Sequence, residues 1–213
     1  VEKRTNGEVE IRIFPNKQLG GKEEDLITMV QTGTIGLATI TCGPITTFDP
    51  LFGVLAMPFL FRDEKHAYKV LDGPIGQRFL DSLSKIGIKG LAFGERGFRN
   101  VSNNKRPIHK PEDLSGIKIR VMQSPIYIAT FKALGANPIP MGWGEVYTAL
   151  QQGTIDAQEN PPWVIWAFKI YEVQKYYSLT GHSYSGNVIM MNNELFKKFD
   201  PKTQKILVDS ARE

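Results

Sequence analysis

At 213 residues, with 41% hydrophobic and 23% charged side chains, the chain is long enough to bury a real core and to form one large domain or two small ones. Its net charge of +4 is mild, and Lys and Arg are scattered among Asp and Glu rather than gathered in a block, which argues against nucleic acid as a partner. A single cysteine, Cys42, excludes an internal disulfide and reads as a small inert hydrophobe, and no apolar run nears the roughly 20 residues that a membrane helix needs.

The chain opens on VEKRTNGEVEIRIFP, without Met or a signal peptide, so processing or truncation is expected to have removed the true beginning. VEIRIF predicts a strand, KEEDLITMVQTG an amphipathic helix ending at Gly33, and TIGLATI a second strand. Together these read as a βαβ unit, hence a parallel sheet. After the loop CGPITTFDPLFG, Pro58 interrupts VLAMPFLF; DEKHAYKVLDG and PIGQRFLDSLSKIG predict two consecutive helices, and IKGLAFGE returns as a strand. A polar, proline-bearing linker, NVSNNKRPIHKPEDLSG, precedes a second run of βα alternation: IKIRVM, PIYIATFKALG, NPIPM, GEVYTALQQG and TIDAQE. YYSLTGHSYSGNVIMMN is strand-like, and PKTQKILVDSARE predicts a helix with Pro201 at its start. The apolar stripe of that last helix, Ile206, Leu207 and Ala211, implies that C-terminal sequence is missing as well. The fold class is therefore α/β.

Catalytic signatures are weak. His66, His109 and His182 lie far apart, with no metal-ligand spacing, and GxGxxG, GxxxxGK[ST] and GxSxG are all absent. Arg120 is the sharper feature. Ile117, Ile119 and Val121 alternate with Lys118 and Arg120, which places Arg120 on the polar face near the C-terminal end of a strand, beside a helix start at Ser124-Pro125. Such strand ends in open α/β sheets are where ligands bind. Two readings stand: a surface ion pair with Glu112 or Asp113, which would contribute little, or a planar fork taking a carboxylate bidentately. Asp156, Glu159 and Asn160 in GTIDAQENPP lie where a short strand, TID, ends in a polar cluster. Asn160 before Pro161 reads as a helix N-cap or a ligand contact, and both fit one place, because a helix N-terminus also attracts anions. Arg96 and Arg99 lie where the chain passes between two lobes, and Trp143 reads as core packing or as a cleft aromatic.

Several stretches carry a specific resemblance: PEDLSGIKIRV, LGANPIPMGWGEVYTALQQGTIDAQENP and KIYEVQKYYSLTGHSYSGNVIMMN, together with TNGEVEIRIFPNKQLG and LAMPFLFRDEKHAYKVLDGPIG. Across nearly its whole length the chain resembles the substrate-binding proteins of TRAP transporters (tripartite ATP-independent periplasmic transporters), the DctP family. The resemblance implies a periplasmic, monomeric, cofactor-free protein, not an enzyme, with its signal peptide removed. Two α/β lobes, 1–96 plus 186–213 and 97–185, would be joined by hinge strands and close on an organic acid for delivery to TRAP permease subunits. It implies that Arg120 pairs with the substrate carboxylate, that Asn160 contacts the same region, that Arg99 assists and that Trp143 packs on the ligand. Thr39, Thr41 and the GHSYSG turn would form further cleft walls, suited to a hydroxy, sugar or dicarboxylic acid. Family members begin with a further strand and end in long helices, neither of which this sequence contains. An α/β enzyme using Glu159 or His182 as acid-base residue, and a ligand-sensing receptor module, are the competing readings.

Overall fold

The computed structural model describes residues 1–15 and 18–213. In chain order the helices and strands are α1 (Glu23–Thr32), β1 (Leu37–Thr41), α2 (Cys42–Ile45), α3 (Glu64–Leu71), α4 (Pro74–Ser82), β2 (Ile88–Asn103), β3 (Lys118–Val121), α5 (Pro125–Ala133), β4 (Asn137–Pro140), α6 (Trp143–Gln151), β5 (Ala157–Asn160), α7 (Pro162–Ala167), β6 (Tyr176–Asn192), α8 (Asn193–Lys198) and α9 (Pro201–Arg212). The protein is mixed α/β. It divides into two compact units: unit 1 is Val1–Thr41, Tyr68–Glu95 and Gly186–Glu213, and unit 2 is Cys42–Ala67 and Arg96–Ser185. The long strands β2 and β6 each supply residues to both.

In unit 1, α1 stops at Gly33, whose φ of 77° is the left-handed cap that a glycine adopts without a Cβ penalty. The chain then enters β1, which pairs antiparallel with the end of β6, from Leu37↔Met191 to Thr41↔Asn187. This differs from the parallel βαβ expected. The partner of β1 comes from the far end of the chain, which no local pattern announces. Val9–Phe14 forms no strand either: alternation makes a strand only where a neighbour takes its backbone hydrogen bonds, and Ile11, Ile13 and Phe14 stand exposed. Leu91, Met191 and Leu207 form a core lined by Leu37, Ile189, Leu195 and Phe196. Helix α4 lies close to β2 at Gly90, where an added Cβ would come within 2.9 Å of backbone atoms of Leu80. Helix α9 begins as Pro201 predicts, with Asp200 accepting from the backbone N–H groups of Lys202 and Thr203.

In unit 2, β3 runs parallel to β4 and β5, and β5 runs antiparallel to the end of β2 in the register Asn100↔Asn160 to Asn103↔Ala157. Residues 100–103, read from sequence as the start of a linker, thus continue β2. Period-two alternation gives this small sheet two distinct faces. Val101, Ile119, Val121 and Ala157 pack with Tyr127 and Phe131 of α5, whereas Ile139 packs with Val146 and Leu150 of α6 and Ile165 of α7. All four residues of β5 are buried, including Gln158, Glu159 and Asn160. Polar side chains this deep must find partners, because an unsatisfied buried polar group costs about 1–3 kcal/mol. Those partners define the site.

Candidate functional site

On the α5 face, Arg99 and Glu159 meet, although they stand 60 residues apart and are both essentially inaccessible to solvent. The Arg99 Nε donates to Glu159 Oε2, and its Nη2 reaches Glu159 Oε1 at 2.8 Å and the Glu159 carbonyl at 2.6 Å. Nη1 donates to Ser185 Oγ at 3.3 Å, and the guanidinium lies 5.5 Å from the Tyr127 ring centroid. The His182 Nε2 approaches Glu159 Oε2 at 3.1 Å, while its Nδ1 faces the Thr180 hydroxyl at 2.8 Å. Burial alone would push the Glu159 carboxyl up, but the charge of Arg99 and the hydrogen bond from His182 outweigh it and hold the pKa at about 2. Burial likewise raises the Tyr127 phenol, here without a charge strong enough to offset it, to about 12, so that it stays protonated beside Ser183. A carboxyl this acidic and fully paired does not shuttle protons near neutral pH, which removes Glu159 from the acid-base role.

The opposite face, toward α6 and α7, carries Arg120, Asn160 and Trp143. Ile119 is in register with Ala157 on the α5 side, so Arg120, one residue on, points the other way with Gln158 and Asn160. Arg120 is 4% exposed; its Nε donates to the Met141 carbonyl at 2.9 Å, and its guanidinium lies 5.5 Å from the Trp143 ring centroid. Trp143, half-buried at the first position of α6, is braced edge-on by Phe168 at 5.3 Å. The ion pair of Arg120 with Asp113 or Glu112 is not formed. Asp113 instead accepts from the backbone N–H groups of His109 and Lys110. Asn160 does not cap α7 either: β5 runs through it, and the cap position falls to Pro161. Its amide donates to Gln158 at 2.7 Å, Gln158 donates to Ser102 at 2.7 Å, and Ser102 donates to Gln174 at 2.9 Å. This relay fixes the Asn160 amide in one orientation.

Structure thus brings Arg120, Asn160 and Trp143 to one face of unit 2 and puts Arg99 on the other, against an internal carboxylate. Thr39 and Thr41 belong to unit 1 on alternate positions of β1: Thr39 is exposed, and Thr41 is buried, with its N–H and hydroxyl both donating to Glu23. Gln158, which orients Asn160, was not singled out from sequence, and His182, which completes the Arg99–Glu159 cluster, was named there only as an acid-base residue and within the GHSYSG wall, not as a partner of Glu159. A period-two reading extended from Ala157 through Asn160 would have flagged both faces. Among the described residues no group of His, Cys, Asp and Glu could hold a metal ion.

The chain belongs to the family of bacterial extracellular solute-binding proteins, family 7 (DctP), whose profile matches residues 1–213. It is 44% identical over 213 residues to the 2,3-diketo-L-gulonate-binding periplasmic protein YiaO of Escherichia coli K12, covering 100% of this chain and 65% of that protein. It is 47% identical over 213 residues to a solute-binding protein of Verminephrobacter eiseniae, of which it covers 63%. The chain therefore spans less than two thirds of the length of these curated relatives. The sugar acid binding protein DctPAm of Advenella mimigardefordensis, solved in complex with galactonate, superposes with a TM-score of 0.95 at 40% identity, covering 99% of this chain and 67% of that one. Members of the family are extracytoplasmic, and no helix among the described residues is long and apolar enough to cross a membrane.

Proposed function

We propose that this protein is a periplasmic receptor that captures a hydroxylated organic acid, of the aldonate type, without turning it over and presents it to the membrane permease of a TRAP transporter. The observation that carries this reading is the buried Arg120, oriented by Met141 and Trp143, on the same face as the fixed amide of Asn160. A planar guanidinium with its orientation set suits a carboxylate, whose two oxygens match parallel N–H donors. Asn160 has an amide proton committed to Gln158 and keeps a carbonyl oxygen that suits a ligand hydroxyl. The face thus asks for a carboxylate with hydroxyl groups nearby. Relatives named for 2,3-diketo-L-gulonate and galactonate support the same class. Arg99, with its guanidinium engaged by Glu159, would shape the site rather than grip the common carboxylate. Thr41 would be held for a structural purpose by Glu23.

Calorimetric titration with galactonate, D-erythronate, succinate and galactose tests the reading. Galactonate and erythronate are expected to bind, succinate to bind at least about tenfold more weakly for want of hydroxyl contacts, and galactose not at all. A protein that binds galactose as tightly as galactonate would overturn it, because the carboxylate would then contribute nothing.

A further inference from the structure

Unit 2 holds a pocket of about 270 Å³ on the α5 side of its sheet, away from the Arg120 face. Its floor is apolar and buried: Val101, Ile108 and Phe131 are each at most 9% exposed. Its lip is also apolar but stands in solvent, with Phe59 71% and Leu179 80% exposed. Large apolar side chains flanking an apolar cavity keep that surface open to water at a cost that an occupant would remove. Phe59 is further marked by its backbone. It sits at φ 57°, a region that costs a bulky L-residue roughly 1 kcal/mol or more, and its N–H is pinned there by the His182 carbonyl at 2.9 Å. The strained residue is the one that places an aromatic ring at the mouth.

The polar part of the lining is basic or neutral. Lys110 and His109 are exposed at the rim, Thr180 and His182 lie deeper, and no Asp or Glu lines the cavity. Asp113, three residues beyond Lys110, is turned onto the backbone N–H groups of His109 and Lys110. A volume of 270 Å³ holds about nine waters at roughly 30 Å³ each, and hence a body of about nine or ten non-hydrogen atoms. We propose that this pocket is a second ligand site, distinct from the Arg120 face, for a small amphipathic monocarboxylate: a hydrocarbon body against Phe59, Phe131 and Leu179, with its carboxylate at Lys110. The chemistry is opposite to that of the Arg120 face, where hydroxyl groups are wanted.

The probe is octanoate, ten non-hydrogen atoms long, titrated by calorimetry into the wild type and into Leu179→Asp, Lys110→Glu and Arg120→Ala, each verified as folded by circular dichroism. Leu179 and Lys110 are exposed, so both substitutions leave the core intact. Wild type and Arg120→Ala are expected to bind one octanoate with equal affinity, and Leu179→Asp and Lys110→Glu to weaken it at least about tenfold. Octanoic acid's neutral relative, octanol, is expected to bind more weakly to wild type and equally to Lys110→Glu. No saturable octanoate binding, or binding undiminished in Leu179→Asp, overturns the proposal. Loss of octanoate binding in Arg120→Ala alone also overturns it, by moving the ligand to the Arg120 face. Galactonate titrated into the same Leu179→Asp protein reports separately on that face, so failure here and failure of the aldonate reading are told apart.

Discussion

A guanidinium that is 4% exposed, tied through Nε and laid against an indole, has one orientation to offer a ligand. Removing one member of a buried charge pair costs on the order of 2–5 kcal/mol, and each 1.4 kcal/mol is about tenfold in affinity. Arg120→Ala is therefore expected to weaken galactonate binding at least roughly thirtyfold in a calorimetric titration. Arg120→Lys is expected to recover little, because an ammonium keeps the charge but neither the parallel donors nor the stacking plane. Near-wild-type affinity in a folded Arg120→Ala would return the residue to a packing role. At this scale Arg120 was legible in the sequence because alternation and a following Ser-Pro mark its position. What alternation could not show was its partner, since Met141 and Trp143 lie 21 and more residues away. The pairing of Arg99 with Glu159 was hidden for the same reason, compounded by reading β5 as ending before Glu159 rather than running through Asn160.

Among the elements, the helices α1, α3, α4, α5, α6 and α9 and the strands β1, β3, β4 and β6 are those the sequence predicts, most of them from an apolar face and recognisable ends. Two of the exceptions share a cause. Val9–Phe14 has the alternation of a strand without a pairing neighbour, and β2 continues into a polar stretch because β5 takes its hydrogen bonds, from Asn100 to Asn103. Tertiary pairing overrides composition in both directions. Close packing of α4 on β2 turns on Gly90, where a side chain would meet helix backbone, which cannot swing aside. Gly90→Ala is expected to destabilise the protein by about 1–3 kcal/mol, the usual cost of overpacking, seen as a lower urea midpoint with an unchanged slope. An unchanged midpoint would mean that α4 shifts freely.

For the molecule as a whole, the Arg99–Glu159–His182 cluster ties stability to pH. A carboxyl held at about 2 when folded, against an ordinary 4.5, adds stability that is fully present above about pH 4.5 and is lost as the pH falls toward 2. Asp113 and Asp200, whose carboxyls are also held down by hydrogen bonds, act in the same direction, so the test is a difference between proteins. Urea midpoints between pH 6 and pH 3 are expected to fall more steeply for wild type than for Glu159→Gln. That variant should be weaker by about 3–5 kcal/mol at pH 6, because it strands a buried Arg99, with a gap that narrows toward pH 3. Parallel slopes would show that Glu159 titrates as an ordinary carboxyl. The sharing of β2 and β6 between units also sets an order of events during synthesis. Unit 2 is complete once Ser185 has emerged, whereas β1 waits for its partners Asn187–Met191, roughly 150 residues behind it. At about 5–20 residues per second the earliest strand spends some 7–30 s unpartnered. Within these 213 residues the unit begun first thus closes after the other, and β1 is the strand with most need of a chaperone while the ribosome is still at work.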